Sequence, residues 1–339
     1  MAYKFGSFLR VAVILVISFV FTLGGSFCVS TEAQEKVLKV ALILPGLISD
    51  VGWNAAGYHG LQKAKEKWGK SVEIAYVENV SPVAVETALR DYASRGYDLV
   101  LTFDFLAQDA TVKVSKDFPN FYFGNAAGFK HSENAVNFQH RGYEGYYLAG
   151  MMAGMMTKTN KVGIVGPKDI PTIVCVHEAF KIGARKVNPN IKVLDTYIGD
   201  FHDVAKAKEA TLAQIDAGID IAATSGNGQG LGSLKAAEER KVLAIGSKFD
   251  QNQWAPSVVV TSVLYKWEKA YLDMVSDIRA GKFGKRKYEI TVANGGIDLA
   301  PFYGLESRVP QEVRTKIEAE KKAIVEGKIT VPYITKVSR

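Results

Sequence analysis

Runs of β-forming residues alternate with stretches of helical length along almost the whole chain, and this alternation restricts the possible folds more than any other feature. The run LKVALIL at 38–44 is followed by a stretch, 55–68, whose apolar residues recur every three or four positions. Such alternation is typical of parallel sheets, because two parallel strands need a crossover connection and a helix usually supplies it. We therefore predict an α/β fold built on parallel sheets.

The alternation forms two series, which predict two doubly wound parallel-sheet lobes with a ligand cleft between them. Residues 34–140 and 263–310 are assigned to the first lobe, and residues 141–262 and 311–339 to the second. The predicted strands are 38–44, 72–77, 99–103, 121–124, 161–165, 192–197, 219–223, 242–245 and 258–261. The predicted helices are 55–68, 82–95, 144–156, 174–187, 204–217 and 231–240.

The first 33 residues have the pattern of a secretory signal peptide. Lys4 and Arg10 precede an apolar stretch at 11–24, and small residues at Thr31 and Ala33 predict cleavage near Ala33. A lipoprotein signal that uses Cys28 is the alternative, although the bulky Phe27 before it fits the corresponding peptidase poorly. An uncleaved anchor is disfavoured, because the apolar stretch is shorter than the ~20 residues that span a bilayer. We therefore expect a periplasmic or other extracytoplasmic protein.

Charge and residue content exclude several classes of function. The net formal charge of +7 is mild and its basic residues are scattered without an aromatic stacking platform, so nucleic-acid binding is not expected. Cys175 alone remains after signal cleavage, and the five histidines lack metal-ligand spacing, so we expect neither disulfide nor metal nor cofactor. An exported enzyme remains the alternative. It would depend on Asp104 or Asp109, which we interpret as capping or hydrogen-bonding residues.

The loop after the first predicted strand contains an unusual group of side chains. Trp53 stands between Asp50 and Asn54, where a turn should face water. It either packs on its own lobe or offers a flat surface to a planar heteroaromatic ligand, for which stacking is worth about 1–3 kcal/mol per base. Phe201 occupies a similar loop of the second lobe, so the two rings are predicted to sandwich the ligand.

Ligands of open parallel sheets lie beyond the carboxyl ends of the strands, so the other loops there hold further candidates. The loop SGNGQG at 225–230 resembles a dinucleotide fingerprint but fails its spacing, because Leu231 and Ser233 stand where glycine is needed. We interpret it as a tight strand-to-helix turn that partly faces the ligand. The further candidate contacts are Phe103, Asp104, Asn125, Gly226, Asn227, Lys248, Asp250 and Trp267.

Six stretches together resemble the basic membrane protein family of solute-binding proteins: SDVGWN, EGYYLAGMMAGMM, GARKVNPNIKV, YIGDFHD, AIGSKFDQ and APSVVVTSV. Their order and spacing extend over nearly the whole chain after the predicted signal. The resemblance implies a type I periplasmic-binding-protein fold that serves an ABC importer, usually for purine nucleosides. It implies a small-molecule ligand and a membrane permease as partners, and we expect a monomer. A ligand-sensing module for a membrane signalling protein is the alternative within the same fold.

The family motifs match this chain position by position in the first lobe. Asp50 matches the residue that reads the base, Trp53 the stacking aromatic, and Asn54 the asparagine after it. In the second lobe, Phe201 matches the aromatic of the family's G-x-F-x-D loop.

The chain departs from the family where the sugar would bind. Lys248 replaces the acidic residue that grips ribose, and Tyr265 replaces a lysine that contacts the sugar. Val176 also replaces a family aromatic. Burying unpaired ribose hydroxyls would cost about 1–3 kcal/mol each, and Trp267 is expected to fill the vacated space. We therefore expect a purine nucleobase or related planar heterocycle, with purine nucleosides, sugars, flavin-like rings and signalling molecules as alternatives.

Overall fold

Twelve strands and nine helices can be followed through residues 36–337, which the computed structural model describes. The predicted signal peptide and Cys28 lie outside the described residues. The strands are β1 (Leu38–Ile43), β2 (Val72–Val77), β3 (Leu99–Thr102), β4 (Tyr122–Ala126), β5 (Ala135–His140), β6 (Lys161–Gly166), β7 (Lys192–Tyr197), β8 (Ile221–Thr224), β9 (Leu243–Lys248), β10 (Val259–Tyr265), β11 (Tyr288–Ile290) and β12 (Ile297–Leu299). The helices are α1 (Trp53–Trp68), α2 (Val85–Ser94), α3 (Gln108–Asp117), α4 (Gly142–Met156), α5 (Pro171–Val187), α6 (Val204–Asp216), α7 (Gly230–Arg240), α8 (Glu268–Arg279) and α9 (Gln311–Val325).

The strands of the described region form two six-stranded sheets, one in each lobe. The first has the order β11-β5-β4-β3-β1-β2 and is parallel throughout. The second has the order β12-β10-β9-β8-β6-β7 and is parallel except for β12. Central strands such as β3 and β8 are buried along their whole length, because helices cover both faces of a parallel sheet. The predicted α/β fold of two parallel-sheet lobes is confirmed.

The chain returns to the second lobe earlier than the sequence suggested. Residues 263–310 were assigned to the first lobe, but β10 belongs to the second sheet up to Tyr265, and β12 pairs antiparallel with it through Val263 and Leu299. Only α8, which packs on α1, and β11 join the first lobe. Strands as short as β11 and β12 have too few residues to show a two-residue period, so the sequence pattern did not reveal them.

Small residues explain the motif EGYYLAGMMAGMM in α4, which lies in the core of the second lobe. Gly183 of α5 approaches the backbone of α4 so closely that a Cβ there would lie 2.0 Å from the carbonyl oxygen of Tyr147. Small residues at such positions let the two helices bury a continuous apolar surface. No helix in residues 36–337 is long and apolar enough to cross a membrane.

Candidate functional site

The loop before α1 is held by the carboxylate of Asp50. This carboxylate accepts hydrogen bonds from the backbone N–H groups of Gly52, Asn54 and Ala55, each at 2.9 Å, and from the Asn54 side-chain amide at 2.8 Å. Asn54 Oδ1 in turn accepts from the backbone N–H of Gly46 at 3.2 Å. Both side chains were predicted to contact the ligand. In this structure their polar atoms bind the loop and support the start of α1, where unpaired N–H groups need acceptors.

Trp53 packs on its own lobe and leaves part of its ring accessible. The indole N–H donates to the carbonyl oxygen of Phe103 at 2.7 Å, and the two rings stack with centroids 4.4 Å apart. Packing on its own lobe is therefore observed, since Phe103 occupies one face of the indole, while the side chain is only half-buried. Stacking of Trp53 on a ligand stays a prediction. A planar ligand can stack only on the opposite face.

An aromatic cluster surrounds Trp53 at the junction of the lobes. The rings of His140 and Trp267 contact it edge to face, with centroids 5.8 and 5.4 Å away, and Tyr265 lies 4.8 Å from His140. Trp267 is fully buried, and its indole N–H has no hydrogen-bond partner in the described region. Burial and the nearby charge of Lys248 lower the pKa of His140 to about 3, so this imidazole is neutral at physiological pH.

Lys248 extends from the second lobe into this cluster, where its side chain is almost completely buried. Its ammonium donates to the carbonyl oxygen of Gly226 at 2.7 Å and lies over the Trp53 ring, 5.7 Å from the centroid. Burial lowers the pKa of Lys248 to about 7, against the opposing effect of Asp50. The residue also has a φ of +62°, a conformation that residues other than glycine rarely adopt and that is concentrated at functional sites.

A cavity of about 590 Å³ adjoins Lys248 between the two lobes. Its size lies in the range of small-molecule sites. One wall is formed by α1 and the other by the carboxyl ends of β9 and β10 with the segments that follow them. Of the predicted contacts, Lys248 and Asp250 line it. The lining residues are Ala56, His59, Gly60, Lys63, Lys248, Phe249, Asp250, Asn252, Gln253, Leu264, Tyr265, Lys266, Glu268 and Tyr303.

The two lobes touch beside this cavity. The Gln251 side-chain amide donates to the carbonyl oxygen of Val51, which joins the second lobe to the loop before α1. A Cβ on Gly52 would lie 2.9 Å from backbone atoms of Asn227, so glycine permits this close approach. These contacts describe a closed arrangement in which the lobes enclose the aromatic cluster. Sequence patterns did not indicate that Gln251 or His140 belongs to the site, because the side chains of both contact residues that are far away in the chain.

Three other predicted contacts of the first lobe lie just behind Trp53. Phe103 is buried beneath the indole. Asp104 accepts from the backbone N–H of Leu106 at 3.1 Å, and burial raises the pKa of its carboxyl. The buried Asn125 donates to Thr102 Oγ1 and to the carbonyl oxygen of Asp104, at 2.9 and 2.7 Å. These bonds keep the carboxyl end of the first sheet in place beneath the stacking residue.

Phe201 does not complete the predicted sandwich in this structure. Its half-buried ring lies 5.6 Å from the ammonium of Lys168, and no ring contact between Phe201 and Trp53 is found in the described residues. Lys248 is the second-lobe side chain that lies over the Trp53 ring. The pairing of Trp53 with Phe201 around a ligand thus stays a prediction.

A buried polar network that sequence reasoning missed supports the loop at 225–230. His177 Nδ1 lies 2.5 Å from Asp195 Oδ1, and its Nε2 lies 2.6 Å from Ser225 Oγ. His177 and Ser225 are inaccessible to solvent, so this arrangement anchors the loop to α5. The loop then presents Gly226, with φ of +106°, to Lys248. In residues 36–337, no group of three His, Cys, Asp or Glu side chains is placed to hold a metal ion.

Comparison with known proteins shows which family the chain resembles. The model of the Bmp family, described as ABC transporter substrate-binding protein PnrA-like, matches residues 37–335. A purine-binding protein of Brucella abortus (strain 2308) is 30% identical over 310 residues, which are 91% of this chain and 85% of that protein. An ABC transporter nucleoside-binding protein of Lactococcus lactis is 29% identical over 330 residues, covering 89% of this chain and 91% of its own.

Solved structures show the same fold. The solute-binding protein of an ABC transporter system from Conexibacter woesei superimposes with a TM-score of 0.74 at 24% identity, covering 87% of this chain and 99% of its own. The corresponding protein from Aeropyrum pernix gives a TM-score of 0.75 at 20% identity, covering 87% of this chain and 94% of its own. The fold predicted from the sequence resemblance is thereby confirmed.

Proposed function

This chain belongs to the Bmp family of PnrA-like ABC transporter substrate-binding proteins, and we propose that the solute it carries is a purine nucleobase or a related planar heterocycle. The protein binds this solute between its lobes and presents the closed form to a membrane permease. It performs no chemistry on the solute. A nucleoside is the alternative that the name of the Lactococcus lactis relative favours.

The observation that carries the proposal is the replacement of both sugar contacts by groups that occupy the cleft. Lys248 brings a positive charge over the Trp53 ring in place of the expected acidic residue. Tyr265 is buried, and its ring packs against His140 at 4.8 Å. The Tyr265 hydroxyl lies so close to Gly142 that a Cβ on this glycine would be only 1.7 Å from it. A flat base needs only stacking and edge contacts, whereas a ribose hydroxyl beside the Lys248 ammonium, which can only donate, loses the acceptor that the family's acidic residue provides.

A thermal-shift panel tests the proposal on the exported protein. Free bases, namely adenine, guanine, hypoxanthine and xanthine, are compared with their nucleosides at equal concentration. A ligand present at 100 times its dissociation constant stabilises the folded state by about 2.7 kcal/mol. For a protein of this size that is a rise in Tm of roughly 5–11 °C, at 2–4 °C per kcal/mol. We expect at least one base to exceed its nucleoside. A response to nucleosides alone would overturn the proposal.

We also propose that the protein acts outside the cytoplasmic membrane after removal of its signal peptide. The observation is the apolar stretch at 11–24 followed by Thr31 and Ala33. Intact-mass analysis of the exported protein should give a chain that begins near Gln34. A lipid-modified N-terminal Cys28 would show that the lipoprotein alternative is correct.

A further inference from the structure

The Lys248 ammonium is buried with most of its hydrogen-bonding capacity unused. It has three N–H donors, of which one binds the Gly226 carbonyl oxygen at 2.7 Å. No ion pair of Lys248 with a carboxylate is present among residues 36–337. A buried ammonium is stable only where acceptors or opposite charge replace the water it has lost. The remaining donors therefore favour an electron-rich partner in the cavity that Lys248 lines.

Two neighbouring side chains add donors to the same cluster. The buried Trp267 N–H, 5.4 Å ring to ring from Trp53, has no partner in the described chain. In His140, Nδ1 accepts from the backbone N–H of Gly142 at 3.2 Å, so the proton of the neutral ring is on Nε2. The nearby acceptor Asp50 is already engaged in four hydrogen bonds to its own loop. The unused groups of Lys248, Trp267 and His140 are thus donors.

We propose that the ligand presents an oxo group or a negative charge to Lys248, which makes 6-oxopurines such as hypoxanthine, xanthine and guanine preferred over adenine. The inference rests on the proposed function and narrows its ligand class. Adenine carries an amino group at the position of the oxo group, and an amino group would bring further donors towards an ammonium. A buried donor without an acceptor weakens binding on the order of 10- to 100-fold. Lys248 is accordingly the residue that sets the preference for 6-oxopurines over 6-aminopurines.

Isothermal titration with hypoxanthine and adenine tests this inference, because the two bases share one ring skeleton and differ only in the group at C6 and in the proton that hypoxanthine carries on N1. We expect hypoxanthine to bind the wild-type protein at least about 10-fold more tightly than adenine. The variant Lys248→Met keeps the length and apolar stem of the side chain and removes its charge, so the two affinities should become equal within a few-fold. Lys113→Met is the control, because Lys113 is exposed on α3 and pairs with Glu86. This control should keep the wild-type ratio.

The outcomes separate the inference from the proposed function. If adenine binds the wild-type protein as tightly as hypoxanthine, the oxo preference is wrong while nucleobase binding stands. If Lys248→Met keeps the wild-type ratio, Lys248 does not set the preference. The comparison of the two bases on the wild-type protein does not depend on any variant. If Lys248→Met does not fold, Lys248→Gln repeats the test, because glutamine retains a donor for the Gly226 carbonyl. If no purine binds the wild-type protein, the proposed function fails as well.

Discussion

Replacing Trp53 separates its two roles, because packing and stacking respond differently to the substituted side chain. In Trp53→Phe a smaller aromatic surface remains while the indole N–H is lost. In Trp53→Leu an apolar side chain remains while the flat π surface is lost. The structure predicts that both variants lose stability and that only the leucine variant loses most of its ligand affinity.

The loss of stability follows from the contacts of the indole. The hydrogen bond to the Phe103 carbonyl at 2.7 Å is worth about 0.5–1.5 kcal/mol, and the stack on Phe103 at 4.4 Å about the same. Trp53→Leu loses both, or about 1–3 kcal/mol, which lowers Tm by roughly 2–12 °C. Trp53→Phe should lose about half as much. Each lobe should nevertheless remain folded, which circular dichroism can verify.

The loss of affinity follows from stacking, at about 1–3 kcal/mol per base. Trp53→Leu should therefore raise the Kd for hypoxanthine roughly 5- to 150-fold at about 1.4 kcal/mol per decade, and Trp53→Phe should raise it only a few-fold. Isothermal titration measures both.

Trp68→Leu provides a matched control. Trp68 is buried at the far end of the same helix, about 22 Å away along its axis. The Trp68→Leu variant should lose stability without losing affinity for the ligand. An unchanged Kd in Trp53→Leu, or an equal loss in Trp68→Leu, would refute a stacking role for Trp53.

Other perturbations test the remaining contacts. Lys248→Asp combined with Tyr265→Lys restores both sugar contacts of the family, so the preference in a thermal-shift panel should move towards nucleosides; a panel unchanged from wild type would contradict this. Gln251→Glu places an acceptor against the Val51 carbonyl across the lobes, so titration should show affinity lowered by about 5-fold or more, and wild-type affinity would mean that this bond does not support closure. Asp50→Ala removes four hydrogen bonds at the start of α1 and should cost about 1–3 kcal/mol of unfolding free energy in denaturant titration; an unchanged midpoint would argue against this cap. Burial lowers the pKa of Lys248 to about 7 from 10.5, so between these values the unfolded chain holds a proton that the folded chain has released. The ligand-free protein should therefore gain stability as pH rises from 7 to about 8.5, below the range in which burial of Cys175 and of tyrosines such as Tyr146 acts in the opposite sense, while affinity for hypoxanthine falls; opposite trends would show that the ammonium is not the interacting form.

The fold was predictable because its signals are local. Each of the nine predicted strands appears within a few residues of its expected position, since β-rich runs and helical periods are written into short windows. Several elements were not predicted, among them the three-residue strands β11 and β12, which are too short to show a period. Because β11 pairs in the first sheet and β12 in the second, these two strands decide where the chain returns to the second lobe.

Within the candidate site, the proximity of side chains was predictable only where one loop contains them. The sequence placed Trp53 between Asp50 and Asn54, and the structure holds them together. The capping role of Asp50 competes with its expected contact to a base, because carboxylates ahead of a helix bind backbone N–H groups strongly. The burial of Lys248 over Trp53 and the bond from Gln251 to Val51 arise between lobes. No local pattern carries such long-range contacts.

Mass spectrometry of the small molecules released when the natively purified protein is denatured identifies the bound solute itself. We expect a free purine base with a 6-oxo group, in an amount approaching one molecule per chain. Release of a purine nucleoside or a sugar, with no free base, would contradict this expectation.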